Sequence, residues 1–163
     1  MTDLNLEKTE IVVTGLAWMG HGIRSIDSTI EAILEESQDE VQIAAYMITE
    51  SAKKFIKLIS NCLCRGVKVT LILNRYDTQP KMIQKEISEL INNFAHFKVF
   101  GFNPKNKFED LHAKLIVIDR AVAIVSSMNF NASSSGGAAI EAGIVTVEPN
   151  IVKSVAQSIL NQL

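Results

Sequence analysis

The residues of this 163-residue chain that could do chemistry are concentrated between Leu111 and Asn129, in the stretch LHAKLIVIDRAVAIVSSMN. His112, Lys114 and Asp119 stand in the spacing H-x-K-x4-D, and Ser127 and Asn129 close the stretch. An imidazole offers a nucleophile or a proton carrier near neutral pH, and an ammonium offers fixed positive charge. A hydroxyl and an amide add further hydrogen-bonding groups. Brought to one place, such a set can cradle a phosphate and stabilise charge developing on its oxygens.

Alternation and β-branched residues run from Leu111 to Ile118 and again from Ala121 to Ser127, with the polar pair Asp119-Arg120 between them. The pattern predicts a β-hairpin. A two-residue turn places His112 opposite Ser127, with Asn129 one step further on the same face. His112 and Lys114, two apart, point the same way. Taken singly, His112 reads equally as an ordinary strand histidine, Lys114 as a surface lysine and Asp119 as a turn former. The spacing of the set is what favours a site: H-x-K-x4-D arises by chance in about one chain in a hundred of this composition, and the Ser and Asn offsets make coincidence rarer.

The elements that must position these residues follow from periodicity. Glu10 to Gly15 reads as a strand, Leu16 to Gly22 as a loop forming a lip over a pocket, and Ser25 to Ser37 as an amphipathic helix. His21, in that lip, has no partner motif and reads as a loop histidine. Glu40 to Ile48 is a buried strand, Thr49 caps a helix that runs to about Arg65 and stops at Gly66, and Val67 to Leu73 is a second apolar strand. A helix between two apolar strands predicts a βαβ unit covered on both faces. A loop from Asn74 to Pro80 leads to a helix marked by Met82, Ile83, Ile87, Leu90 and Ile91, and Lys98 to Phe102 is a short strand.

The polar loop Asn103 to Asp110 then enters His112 directly; Lys105 and Lys107 in it read either as local positive potential for a polyanion or as a solvated loop. Asn131 to Gly137, NASSSGG, reads either as a phosphate-wrapping segment or as a mobile turn. Ala138 to Val147 is a strand with Glu141 as its one carboxylate, and Pro149 opens a last helix to about Leu160. The mixed order of strands and helices predicts an α/β fold, a three-layer αβα sandwich on a mixed sheet, with residues 1–163 forming one domain.

Composition bounds the rest. With 47% hydrophobic and 21% charged residues the chain can build a proper core. A net charge of -2 gives no bulk attraction to nucleic acid, so any such binding needs a local basic patch. Neither a signal peptide nor a membrane span is legible, which gives a cytoplasmic expectation. Cys62 and Cys64, the two cysteines, lie on adjacent faces of a helical pattern without further ligands and read as thiols rather than a metal site.

The motif resembles the HKD signature of the phospholipase D superfamily, H-x-K-x4-D followed after six residues by G-S-x-N. His112, Lys114 and Asp119 match in full; Ser127 and Asn129 match, and Ser126 stands where the pattern has glycine. The "Y-x-I-T" strand beginning at Tyr46 and the "R-G-V-K-V-T-L-I-L" strand beginning at Arg65 also resemble the superfamily's approach to its motif. The resemblance implies a layered αβα fold and a site built from two copies of the motif. This chain carries one copy and is similar in that respect to short bacterial nuclease members, which complete the site by homodimerisation.

It further implies covalent phosphoryl transfer. His112 of one subunit attacks phosphorus and that of the other protonates the leaving oxygen, while Lys114 and Asn129 bind the phosphate and stabilise its charge. Ser127 joins that shell as a substrate-binding residue, Glu141 orients the motif histidine, and Asp119 supports the fold. No metal and no other cofactor is expected. The expected partners are a second copy of the chain, a nucleic acid substrate (DNA or RNA) rather than a membrane, and other components of a restriction or phage-defence system. Two further readings stay open: a phospholipase D or phosphatidyltransferase, and a catalytically degenerate nucleic-acid-binding or scaffold dimer.

Overall fold

A computed structural model of the chain describes residues 6, 8–15, 18, 22–49, 51–104, 106, 109–130 and 140–162. Most of the lip between Leu16 and Gly22, His21 included, together with Lys105, Lys107 and the segment from Asn131 to Gly137, lies outside the described residues.

Eight strands and four α-helices follow one another as β1 (Thr9–Thr14), β2 (Arg24–Ser25), α1 (Ile26–Glu36), β3 (Glu40–Ala45), α2 (Lys53–Cys64), β4 (Lys68–Asn74), α3 (Lys81–Asn93), β5 (Phe97–Phe102), β6 (Lys114–Ile118), β7 (Val122–Ser126), β8 (Glu141–Thr146) and α4 (Pro149–Leu160) among the described residues, with a short 3-10 helix at Tyr76–Thr78. The strands form one sheet in the order β2-β1-β8-β7-β6-β3-β4-β5. β3, β4 and β5 are parallel to one another, as expected for βαβ units, while β6, β7, β8 and β1 run alternately antiparallel.

Helices α1, α2 and α3 cover one face and α4 the other, which gives the three-layer αβα sandwich on a mixed sheet. α1 buries Ile26, Ile30, Ile33 and Leu34, one stripe of a 3.6-residue repeat, and α2 buries Phe55, Ile56, Ile59 and Leu63 in the same way. That larger core also takes Ile43, Leu71, Ile116, Val122 and Ile124 from the sheet. The opposite face is thinner: Ala44, Ile72, Val117 and Ala123 meet Val152, Ala156 and Ile159 of α4. Small residues on that face let α4 lie close to the strands.

Several boundaries depart from the sequence reading: β3 stops at Ala45 rather than Ile48, and β6 starts at Lys114 rather than Leu111, which leaves His112 ahead of the strand. The second helix begins at Lys53 rather than after Thr49; the carbonyl of Thr49 instead accepts the Ala52 N–H at 2.9 Å and its hydroxyl pairs with that of Ser51 at 2.7 Å, a separate turn ahead of the helix. Its end is as expected, with Gly66 at φ 86 and the Val67 N–H returning to the Cys62 carbonyl at 3.1 Å. The two-residue β2 was not legible, being too short for any periodicity.

The hairpin β6–β7 also differs in register. Asp119 and Arg120 are the turn, both at φ 51, and the Ala121 N–H reaches the Ile118 carbonyl at 2.9 Å. The ladder, however, pairs Ile118 with Val122 and Ile116 with Ile124, so Ala121 is an extra residue. The cause lies in the two cores. With this shift Val122 and Ile124 join Ile116 and Ile118 beneath α1–α3, and the small Ala123 faces α4. Burial contributes roughly 1.5–3 kcal/mol for each large side chain, whereas the simple two-residue register turns both away from the larger core.

Candidate active site

The sheet brings the motif to one end. Ala45, the last residue of β3, pairs with Lys114, the first of β6; Ser126, the last of β7, pairs with Gly143 near the start of β8; Thr14, the last of β1, pairs with Glu141. The C-terminal ends of β3, β4 and β5 lie at this same end, where parallel α/β sheets bind ligands.

His112 stands two residues ahead of β6, and Lys114 opens the strand. As expected from their spacing, the two side chains meet: Lys114 Nζ is 2.9 Å from Nδ1 and 3.3 Å from Nε2 of His112, and donates to the His112 carbonyl at 2.8 Å. An ammonium has donors and no acceptor, so in this contact Lys114 is the donor and a His112 ring nitrogen the acceptor. Lys114 is 4% exposed. Burial pushes its pKa below the ordinary lysine value, and the Glu141 carboxylate opposes that shift.

The register change moves Ser127. It does not face His112 across a ladder; its N–H goes to the Ala142 carbonyl at 3.0 Å and its hydroxyl donates to the Glu141 carboxylate. Glu141 therefore holds Ser127 by a hydrogen bond and reaches Lys114 by charge, while the ring nitrogens of His112 meet Lys114. Asn129 lies between Met128 and Phe130, both buried. Phe130 bridges to Ile48 and accepts the Thr49 N–H at 3.3 Å, which fixes Asn129 at the same sheet end. Its Oδ1 is shielded from solvent and has no hydrogen-bond partner among the described residues.

Asp119 sits at the far end of the hairpin. Its Oδ1 accepts the N–H groups of Asp39 and Glu40 at 2.8 and 2.9 Å, and its Oδ2 that of Gln38 at 2.9 Å. It caps the turn between α1 and β3, as a support of the fold.

Tyr46 was not singled out as a site residue, yet its ring lies 4.5 Å from that of His112, tilted by 52°, and 5.4 Å from Lys114 Nζ. The signal was present in the position: an aromatic residue just past the C-terminal end of a parallel strand. Asp110 was missed in the same way. Arg75 Nε donates to it at 2.8 Å and Asn74 Nδ2 at 3.1 Å, and together they hold its carboxyl below the usual carboxylate range. No helix among the described residues is long and apolar enough to cross a membrane.

The chain is similar over almost its whole length to two solved structures. One is Nuc of Salmonella typhimurium, a phospholipase D family member (TM-score 0.70, 18% identity, 95% of this chain and 96% of that one). The other is NucT from Helicobacter pylori (TM-score 0.71, 19% identity, 95% and 98%). At those identities they speak for the fold. Among curated relatives, the DISARM protein DrmC of Bacillus paralicheniformis is 23% identical over 122 residues, 75% of this chain and 50% of that protein. Cardiolipin synthase B of Escherichia coli is 30% identical over 108 residues, 61% of this chain and 26% of that protein. The chain thus spans half the length or less of these curated relatives. A family model described as "Cardiolipin synthase, PLD-like domain" matches residues 30–163. With that match over most of its residues, the chain belongs to the phospholipase D superfamily.

Proposed function

We propose that the chain is a phosphodiesterase acting on nucleic acid, a metal-independent nuclease whose site is completed by a second copy of itself. The observation that carries the reading is the buried Lys114 set against a histidine ring, with Asn129 held at the same sheet end by the bridge of Phe130 to Ile48. Superfamily chemistry uses two histidines, and one copy of the motif supplies one. The similarity in fold to Nuc and NucT over almost the whole of each chain supports this reading.

Exposed apolar residues that would suit a second copy lie on β1 and just before β8. Among the described residues α4 packs on β3, β6 and β7. Ile11, 62% exposed, pairs with Ile144, and Ile140, 54% exposed, immediately precedes Glu141. Apolar groups in open contact with water beside an incomplete site suit a self-complementary interface.

In the reaction, a ring nitrogen of His112 attacks phosphorus, a P–N bond forms and the P–O bond to the leaving group breaks; the other subunit's imidazolium gives that oxygen its proton. The same imidazole then takes a proton from water, whose oxygen attacks phosphorus and releases His112. The two Lys114 ammonium groups and the Asn129 amides stabilise charge on the non-bridging oxygens, which is the task a divalent cation performs in other phosphodiesterases. Ser127, held by Glu141, adds a hydroxyl to this shell.

The test is incubation of wild-type protein and His112→Ala with labelled single- and double-stranded DNA and RNA in EDTA. Cleavage by the wild type and none by the variant is expected. A purified wild type that cleaves none of the four, or only with added metal, overturns the reading.

The cardiolipin synthase B relatives favour a second reading, phosphatidyl transfer or phospholipid hydrolysis. Headgroup release from phospholipid vesicles without nucleic acid cleavage would support it.

A further inference from the structure

Beside the motif, a hollow of about 130 Å³ is lined by Tyr46, Met47, Asn74, Arg75, Gln79 and Asp110 among others. Its polar walls are committed to one another. Gln79, 6% exposed, donates through Nε2 to the Tyr46 carbonyl at 3.1 Å and the Asn74 carbonyl at 2.7 Å, and its Oε1 accepts the Ile48 N–H at 3.2 Å. Asn74, 3% exposed, donates through Nδ2 to Asp110 and accepts the Leu111 N–H through Oδ1 at 3.0 Å. An amide side chain has two donors and one carbonyl oxygen. Those of Gln79 are all engaged with main chain, which leaves little to offer a ligand.

What these bonds join is more telling. Gln79 holds the chain just after β3, where the Tyr46 ring emerges, and Asn74 holds the two residues before His112. The two residues are joined through main chain, Gln79 Nε2 donating to the Asn74 main-chain carbonyl. Arg75, at φ 43, adds a bond from its guanidinium to Asp110 and another to the Glu109 carbonyl at 3.1 Å, and the His112 N–H closes on the Asp110 carbonyl at 3.0 Å. Neither His112 nor Tyr46 belongs to a named strand, so the ladder alone does not set their separation.

We infer that Asn74 and Gln79 are positioning residues for His112: two buried amides, one tying the chain before His112 and one tying the chain around Tyr46, set the contact between the two rings and so aim the imidazole. The inference rests on reading His112 as the nucleophile, but its geometric content is separable from any activity. A nucleophile displaced by a fraction of an ångström loses much of its rate, about a hundredfold for 1 Å, so a buried support of this kind is expected to act on turnover more than on binding.

The test is nuclear magnetic resonance of the histidine ring protons, with His112 assigned by the signals lost in His112→Ala. The Tyr46 ring, 4.5 Å from that of His112, is expected to displace the His112 ring-proton signals in the wild type, and Tyr46→Leu to remove that shift. Gln79→Ala and Asn74→Ala are expected to remove at least half of it. The signals of His96, whose ring bonds the Leu63 carbonyl, stay in place. On whichever phosphodiester the wild type hydrolyses, kcat falls about tenfold or more while KM holds within about twofold. Asn74→Asp, which keeps the acceptor for Leu111 and loses the donor to Asp110, falls between.

Should an alanine variant fail to fold, seen as collapse of the His96 signals, Asn74→Asp and Gln79→Glu carry the same comparison. Unmoved His112 signals in folded variants overturn the inference. Moved signals in a protein that cleaves no phosphodiester leave the positioning intact and sink the enzymatic reading instead.

Discussion

Ser126, at the position the superfamily motif gives to glycine, lies directly across the ladder from Gly143. A Cβ built on Gly143 would stand 2.8 Å from the Ser126 Cβ and 2.6 Å from the Val125 carbonyl oxygen. The departure from the motif is thus accommodated by a missing side chain on the neighbouring strand. Gly143→Ala is expected to cost about 1–3 kcal/mol through overpacking beside main chain that cannot yield. Adding Ser126→Gly should restore part of that and leave the part owed to the Val125 carbonyl. Denaturant unfolding of the two single variants and the double variant gives the coupling; strict additivity would mean that the two residues do not meet.

If the site is shared between two copies, it fails when either histidine is missing. Mixing wild-type protein with His112→Ala and allowing subunits to exchange should then lower activity as the square of the wild-type fraction. Independent subunits would follow the fraction itself. The measurement is activity against mixing ratio at constant total protein, and a straight line excludes the shared site.

The motif residues were legible because their types and spacing are local, and so were most of the elements that carry them. The register of β6 and β7 was not. Asp119-Arg120 does form the turn, but which face Val122 and Ile124 take depends on where α1 and α4 lie, and that information is spread over the chain. The same non-locality hid Tyr46, Asn74, Gln79 and Asp110: each is unremarkable in its own segment and gains meaning only where the ends of β3, β4 and β6 come together. Ser127 shows the converse, a residue singled out by spacing whose hydrogen-bond partner, Glu141, sits on a strand that the hairpin reading did not include.

Asp119 belongs to the motif by spacing and to the fold by contact. Its carboxylate accepts three main-chain N–H groups from residues 38–40, and its own N–H goes to the Glu40 carbonyl at 2.8 Å. Asp119→Ala removes charge-assisted bonds at a partly solvated turn, an expected loss of about 2–3 kcal/mol. Turnover per folded molecule should be unchanged, because the turn is at the opposite end of the sheet from His112. Activity measured alongside the folded fraction checks this; a large fall in turnover with stability intact would move Asp119 into the chemistry.

Lys114 is where stability and function pull apart. Its pKa in the folded protein lies below 10.5 because burial disfavours the charged form, with Glu141 only partly opposing. Between that lowered value and 10.5 the unfolded chain binds more protons than the folded one, so stability rises with pH across this window and is lost as pH falls through the folded value. Below the window the ammonium is charged in both states and its desolvation remains a cost. Lys114→Met, of similar length and apolar, should abolish that alkaline slope and leave stability at neutral pH equal or higher, by up to about 1–2 kcal/mol. Activity should fall at least about a hundredfold, as for loss of an oxyanion-stabilising group. Unfolding curves from neutral to alkaline pH for both proteins decide it: a variant that is less stable at pH 7 would show that the ammonium, through its bonds to His112, holds the site together rather than burdening it.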